Sequence, residues 1–252
     1  MSKERYYIAT RGNDDEAYRE VMAFAADLVK AKPELKQVTL LIPAKNNTGW
    51  FDRILGPAIV KKLFTGYVFN NSPAIFKFET AKTYSKRYGV QSEIVISCGL
   101  NADELVEVDD SYSSKVIIVI PWRPEGIQEW VTRWNPIELR SGQNASSSTK
   151  EPSCVVIKAL EDLTESINMA TGITHHMDED RAKTYVLALH KYEPVLDSEV
   201  VGSYLVRELG WDTSDAKDIE KSINTLNSGK SFRGGTRTGL QHYYKMWKEQ
   251  CG

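Results

Sequence analysis

The sequence predicts a mostly parallel α/β domain with a Rossmann-like or flavodoxin-like three-layer fold, followed by a small all-α domain. Three observations predict this order. Short apolar runs alternate with amphipathic helical segments in the first half of the chain. A small, polar stretch follows at 141–150, and only helical periodicity comes after it. We therefore expect an α/β domain at 1–140, a linker or loop at 141–150 and a helical domain at 151–252.

The apolar runs of the first half have the character of buried strands. The runs at 38–42, 93–97 and 115–120 are apolar almost throughout, as in strands that are covered on both faces. We expect further strands at 6–10 and around 74–78. Helices are predicted between the strands at about 15–30, 54–64 and 127–134, with two short helices, one that ends near 88–89 and one that runs through Leu105.

After the polar stretch, apolar residues recur at helical spacing in five segments. Asp197 and the acids of 212–215 stand where helix N-caps and first turns favour them, and Gly210 and Gly229 follow two of the segments. The predicted helices lie at about 156–167, 182–189, 197–209, 213–226 and 240–247. The second half is therefore expected to be all-helical.

Composition and net charge indicate which broad classes of protein the chain can belong to. The chain is 41% hydrophobic and 26% charged, which is typical of a folded globular protein. No apolar run approaches the roughly 20 residues that a membrane helix needs. The first residues lack the apolar core of a secretory signal, so we expect a cytoplasmic protein that does not bind membranes. A net charge of −2 excludes a generic polyanion binder.

The cysteines and histidines predict no metal site. Cys98, Cys154 and Cys251 are odd in number and far apart, which argues against a disulfide framework and against a Cys-based zinc site. His175 and His176 are followed by three acids within four residues. Adjacent residues on a helix or strand point in different directions, so this pair is poorly placed to share an ion.

The first functional hypothesis concerns the loops that follow the predicted strands. Ligands of open parallel sheets bind at the carboxyl ends of the strands. These loops offer cations and amides at Arg11, Asn13, Lys45, Asn47, Asn101 and Arg123. We predict that they bind a small anionic ligand, a nucleotide or a nucleotide-derived metabolite. No G-x-G-x-x-G follows the first strand, so the standard dinucleotide fingerprint is absent.

Catalysis at these loops is left open. Cys98 lies between a predicted strand and a predicted helix, where a helix N-terminus would lower the pKa of its thiol. It is the candidate nucleophile, against the more common role of a cysteine as a small buried residue. The sequence identifies neither a cofactor nor an oligomeric state.

Two alternatives belong to other classes of function. The helices at 197–209 and 213–226 are joined by a short glycine-containing turn, which is the layout of a helix-turn-helix. A DNA-associated regulatory protein would use the basic residues Lys217, Lys221, Lys230, Arg233 and Arg237, although acids share the second helix. Gly229 begins a Gly-Lys-Ser triplet, but Asn224 stands where a P-loop needs glycine. A non-catalytic interaction scaffold is the third possibility.

Overall fold

The computed structural model describes residues 3–70, 72–84, 93–145 and 150–252 and divides the chain into two compact units. Unit 1 comprises Met1–Ser147 and unit 2 comprises Ser148–Gly252. The predicted end of the short helix, near 88–89, lies outside the described residues, as do positions 146–149 of the predicted linker.

Unit 1 alternates strands and helices along the chain. Its strands are β1 (Glu4–Tyr7), β2 (Gln37–Ile42), β3 (Tyr67–Val68), β4 (Ile75–Thr80), β5 (Glu93–Cys98), β6 (Ser114–Ile120) and β7 (Ile137–Glu138). Its helices are α1 (Asp15–Ala31), α2 (Gly49–Leu55), α3 (Pro57–Leu63), α4 (Ala81–Tyr84), α5 (Val106–Asp110) and α6 (Gln128–Trp134), with a 3-10 turn at Pro124–Ile127.

The strands form one mostly parallel sheet, which confirms the predicted α/β class. In the described residues the sheet has the order β3-β4-β2-β5-β6-β1-β7, and its pairings are parallel except that of β3 with β4. Alternate residues of β2 enter different apolar layers. Leu40 packs on the side of α1, α2 and α3, whereas Leu41 packs on the side of α5 and α6. Both faces of the sheet are therefore covered.

Local boundaries differ from the predicted ones where special residues interrupt the pattern. The predicted helix at 54–64 is two helices, because Gly56 adopts a φ of +82° and Pro57 begins α3. The first strand is Glu4–Tyr7 rather than 6–10. The edge strands β3 and β7 each have two residues, too few to produce a sequence period.

A buried polar cluster ties β1 to α5 and α6. The carboxylate of Asp109 accepts hydrogen bonds from Arg5 Nε at 2.9 Å, Trp130 Nε1 at 2.8 Å and Trp134 Nε1 at 3.1 Å. The guanidinium of Arg5 lies 3.2 Å from the centroid of the Trp134 ring. The carboxylate and its cation are therefore satisfied together, as a buried ion pair requires.

Unit 2 is helical throughout its regular structure, as predicted. Its helices are α7 (Cys154–Ser166), α8 (His176–Tyr192), α9 (Ser198–Arg207), α10 (Thr213–Asn227) and α11 (Leu240–Glu249), with a 3-10 turn at Gly172–Thr174. Asp197 caps α9 by accepting from the backbone N–H groups of Glu199 and Val200, which confirms the N-cap expected there.

Tyrosine and tryptophan side chains in the core of unit 2 donate hydrogen bonds to side chains of α7. Asp162 accepts hydrogen bonds from Tyr185 Oη and Trp247 Nε1, each at 2.9 Å. Trp211 Nε1 donates to Thr164 Oγ1 at 2.8 Å. Trp247 is completely buried, so its indole N–H needs this internal acceptor.

Cys154 and Cys251 form a disulfide, so the argument against a disulfide framework from the odd number and wide spacing of the cysteines is wrong for these two residues. Cys154 is the first residue of α7, and Cys251 follows the end of α11. Because α7 and α11 pack together, residues that are 97 positions apart come to a Cα–Cα distance of 6.0 Å. Spacing along the chain could not reveal this approach.

The described residues meet neither the requirements of a membrane helix nor those of a metal site with three or more His, Cys, Asp or Glu ligands. None of their helices is both long enough and apolar enough to cross a membrane. Within the same residues, no group of three or more His, Cys, Asp and Glu side chains is arranged to hold a metal ion. His175 instead caps α8, where its Nδ1 accepts from the backbone N–H of Met177 at 3.4 Å.

Candidate functional site

A cavity of about 380 Å³ opens at the carboxyl ends of β2, β5 and β6 in unit 1. It is lined by Pro43, Asn47, Trp50, Gly99, Leu100, Asn101, Trp122, Arg123 and Gly126. β2 and β5 are neighbours in the sheet, but the chain continues from them in opposite directions. After β2 it goes towards β4 on one side, and after β5 it goes to β6 on the other. The cavity therefore lies where the strand order reverses, the usual ligand position in open α/β sheets.

Two tryptophans form an aromatic wall of the cavity. The ring centroids of Trp50 and Trp122 are 5.8 Å apart, with an angle of 41° between their planes. Trp50 is supported from behind by Tyr18, whose ring centroid is also 5.8 Å away. Trp122 is 49% exposed, which is high for a large aromatic residue and leaves ring surface available to a ligand.

Glycines hold the Trp122 indole in place. A Cβ atom on Gly12 would lie 2.2 Å from Cε3 of Trp122, so only glycine fits beneath the ring. The N–H of Gly12 donates to the carbonyl of Trp122 at 3.2 Å. Gly99, with a φ of +83°, donates its N–H to the carbonyl of Ile120 at 2.8 Å. The loops after β1 and β5 therefore fix the segment that carries Trp122.

Three of the six ligand-binding candidates line this cavity: Asn47, Asn101 and Arg123. The Asn101 loop is closed by a reciprocal pair of bonds, in which Glu104 N donates to Asn101 Oδ1 at 3.0 Å and Asn101 N donates to Glu104 Oε2 at 2.9 Å. Arg123 is exposed and makes no ion pair with any residue in the described ranges.

The other three candidates lie outside the lining of the cavity. Arg11 is exposed, and its Nη2 lies 3.8 Å from Oε1 of Glu125, which directly precedes the cavity residue Gly126. Asn13 and Lys45 are exposed on the loops after β1 and β2. Trp50 was not among the predicted site residues, although it directly follows the loop that carries Asn47.

Cys98 is placed at a strand end, as expected, but in an environment that opposes a nucleophile. Its side chain is completely buried, and Sγ donates to the carbonyl of Ile96 at 3.4 Å. Burial raises the pKa of the Cys98 thiol far above its ordinary value. Because the thiolate is the reactive form, this site favours the packing role of a small hydrophobic residue.

The nucleic-acid candidates occupy two parts of unit 2. Lys217 and Lys221 lie on α10, whose apolar positions Ala216, Ile219, Ile223 and Leu226 are buried. Lys230, Arg233 and Arg237 are exposed on the segment between α10 and α11. Lys221 also lines a smaller cavity of about 250 Å³, together with residues of α8 and with Phe232.

The comparisons with known proteins give a family match within unit 2. A family model described as "Domain of unknown function (DUF1889)" matches residues 152–248, which lie within that unit. No curated protein and no solved structure matches the chain. The cavity of unit 1 lies outside the matched residues.

Proposed function

We propose that unit 1 binds a small anionic ligand with a planar ring, a nucleotide or a nucleotide-derived metabolite, in the cavity at the strand ends. The observation that carries this proposal is that one cavity holds an exposed indole and a guanidinium that forms no ion pair with any described residue. Trp122 and Arg123 are adjacent in sequence, and both line that cavity.

The aromatic wall supports a ring-containing ligand. An aromatic ring packs on an exposed indole face in an offset or edge-to-face arrangement. Gly12 packs closely against the Trp122 indole, and a ring that is already packed in place costs less to order when a ligand binds. The volume of about 380 Å³ is within the range of pockets that hold small molecules.

The polar lining supports an anionic group on the ligand. Arg123 offers a guanidinium, which binds phosphate or carboxylate through paired N–H groups. Arg11 adds a cation beside Glu125. The side-chain amides of Asn47 and Asn101 supply donors and acceptors for the polar edge of a base or sugar. The proposal is one of binding, and it assigns no reaction to the site.

Isothermal titration calorimetry with the purified full chain tests the proposal. The ligands are AMP, ATP, NAD⁺, adenosine, ribose 5-phosphate and inorganic phosphate. We expect at least one nucleotide to bind, with Arg123→Ala lowering its affinity about tenfold or more, the loss of roughly 1.5–3 kcal/mol for a charged hydrogen bond. Trp122→Ala should weaken the nucleotide and adenosine alike.

Matched variants separate the site from general effects of substitution. Arg19→Ala removes an exposed arginine of α1 that pairs with Glu16, and Tyr112→Ala removes an aromatic ring that is 86% exposed in the turn before β6. Both should bind as the wild type does. The proposal is wrong if no nucleotide binds, or if the control variants weaken binding as much as Arg123→Ala does.

The same titrations distinguish the scaffold alternative. A non-catalytic interaction scaffold would bind no ligand of this panel, and its working surface would be recognised by another protein.

A further inference from the structure

The segment 228–239, here called the basic loop, is fixed on helix α8. Gly235 N donates to Asp180 Oδ1 at 3.1 Å, and Thr236 N donates to Thr184 Oγ1 at 2.8 Å. A Cβ atom on Gly235 would lie 3.0 Å from Lys183 Cβ, and Gly235 has a φ of +74°. The loop is therefore an anchored structure that presents its side chains from a defined backbone.

Phe232 is the centre of a group of cations from the loop and the neighbouring helices. Arg237 Nη2 donates to the carbonyl of Phe232 at 3.1 Å, and Lys183 Nζ lies 6.0 Å from the centroid of its ring. Lys221 of α10 lines the same small cavity as Phe232. Arg233 is the next residue of the chain. The fold thus gathers cations that are far apart in sequence.

The three cations of the basic loop form no ion pair with an acid in the part of the chain that the structure describes. The backbone N–H of Lys230 donates to the carbonyl of Thr225, which lines the small cavity. Lys230 is therefore close to that cavity. Lys230, Arg233 and Arg237 are exposed and form no ion pair with any residue of 3–70, 72–84, 93–145 or 150–252.

The acidic residues near the basic loop lie on helices α8 and α10. Glu179 pairs with Lys183 at 2.6 Å, and Asp180 accepts from the backbone of the loop. Asp218 lines the small cavity beside Lys221. The exposed loop therefore carries positive charge, although unit 2 as a whole is acidic.

From this arrangement we infer that the basic loop is a nucleic-acid contact surface, on which Lys230, Arg233 and Arg237 bind successive phosphates of the backbone. Exposed lysine and arginine side chains supply such contacts, and they do so without reading the base sequence. The three residues are separated by three and four positions on an anchored loop, so they are presented together. The residues of this surface all belong to unit 2.

The loop, rather than α10, carries the contact. A helix-turn-helix would insert its second helix into the major groove, with that helix close to phosphates on both sides. α10 bears the exposed Asp218, whose carboxylate would lie close to the phosphates if the helix entered the groove. The basic loop bears no acid between Ser228 and Gly239. Contact between the loop and the phosphate backbone therefore avoids the repulsion between carboxylate and phosphate that insertion of α10 would cause.

Fluorescence anisotropy with the full chain tests this inference. The probes are a labelled 20-nucleotide single-stranded DNA, the corresponding duplex and an RNA of the same length, each titrated from about 50 to 200 mM salt. We expect the Lys230→Ala/Arg233→Ala/Arg237→Ala variant to lose at least tenfold in affinity at 50 mM salt. The slope of log K against log salt on the duplex should fall by about 2 to 3, since each lost contact contributes about 0.9.

A control variant with the same change in charge makes the result specific to the loop. Lys191→Ala/Lys245→Ala/Lys248→Ala removes three exposed lysines of α8 and α11. It should retain most of the affinity, and circular dichroism should show both variants folded. Equal losses in the two variants would overturn the inference, as would a wild type that binds none of the probes at 50 mM salt. Equal competition by polyglutamate, a polyanion without phosphate, would also overturn it.

Discussion

The proposed sites of the two units differ in the side chains that they expose. Unit 1 buries an ion pair of Arg5 and Asp109, and it leaves the indole of Trp122 half exposed at a cavity. Unit 2 buries Trp247 completely and leaves the cations of the basic loop exposed. An exposed ring in a concave site suits a planar small molecule, whereas exposed cations on a loop suit a polyanion. The two proposals follow from this difference.

The units also differ in how their chain segments are held together. In unit 1 the parallel pairing of β1 with β6 brings an early segment against a late one. In unit 2 the first and last helices are joined by the covalent bond between Cys154 and Cys251. A sheet supplies many hydrogen bonds between distant segments, while a helix satisfies its backbone internally and leaves distant contacts to side chains.

Replacing Asp109 should have the largest effect on stability. Asp109→Ala leaves the Arg5 guanidinium buried without its carboxylate and removes the acceptor of Trp130 and Trp134. We expect the free energy of unfolding to fall by about 3–5 kcal/mol, measured by urea denaturation. Glu107→Ala, at an exposed position of the same helix, should change it by less than about 0.5 kcal/mol. A similar loss in both variants would mean that the buried pair is not what stabilises this end of the sheet.

Opening the disulfide should have the next largest effect, and it should appear in unit 2. Removing a native disulfide costs about 2–5 kcal/mol, because the unfolded chain gains freedom. We expect reductant to lower the melting temperature of unit 2 by about 10 °C or more. The Cys154→Ser/Cys251→Ser variant should melt at the lowered temperature with or without reductant. If reductant also lowers the melting temperature of that variant, the effect does not arise from this bond.

A methyl group on Gly12 should disturb the ligand site directly. In Gly12→Ala the added Cβ meets the Trp122 indole at 2.2 Å, so the ring must move. We expect a loss of about 1–3 kcal/mol in stability together with weaker nucleotide binding in calorimetry. Gly49→Ala is the matched control, because a Cβ there has no atom within 4 Å. Unchanged binding in Gly12→Ala would show that the position of the indole does not matter to the ligand.

The cap of α1 should give the smallest effect, with a defined dependence on pH. Asp14 Oδ1 accepts from the N–H groups of Glu16 and Ala17, and its other oxygen accepts from Thr10 Oγ1 at 2.6 Å. The hydrogen bond from Thr10, followed by the backbone bond from Ala17, lowers the pKa of Asp14 below its ordinary value. Asp14→Ala should therefore cost about 0.5–2 kcal/mol near neutral pH.

The sign of the pH effect follows from that lowered pKa. The stabilisation by the Asp14 carboxylate is complete above the pKa of the unfolded chain, about 3.9, and disappears as the pH falls through the folded value. The difference between wild type and Asp14→Ala in urea denaturation should thus shrink from pH 6 to pH 3. Asp27→Ala, which removes an exposed pair with Lys30, should show a loss below about 0.5 kcal/mol. A constant difference for Asp14→Ala across this range would contradict the assigned cap.

Several features of the fold could be predicted because they depend on neighbours along the chain. The run that became β6 is apolar enough to indicate a strand by itself, and Asp197 stands at the start of α9 as its spacing indicated. The position of Arg123 after a buried strand likewise placed it at the edge of the sheet where the cavity lies. Local propensity and periodicity are sufficient for such predictions.

By itself, then, the sequence determined the α/β class, the helical second half and the strand ends that carry polar residues. Tertiary structure decided which of those ends meet. The strand order brings Asn47, Asn101 and Arg123 to one cavity with Trp50, and it leaves Asn13 and Lys45 outside the lining. The packing of α7 against α11 likewise joined Cys154 to Cys251. Strand order and helix packing depend on contacts between segments far apart in the chain, which no local pattern of residues encodes.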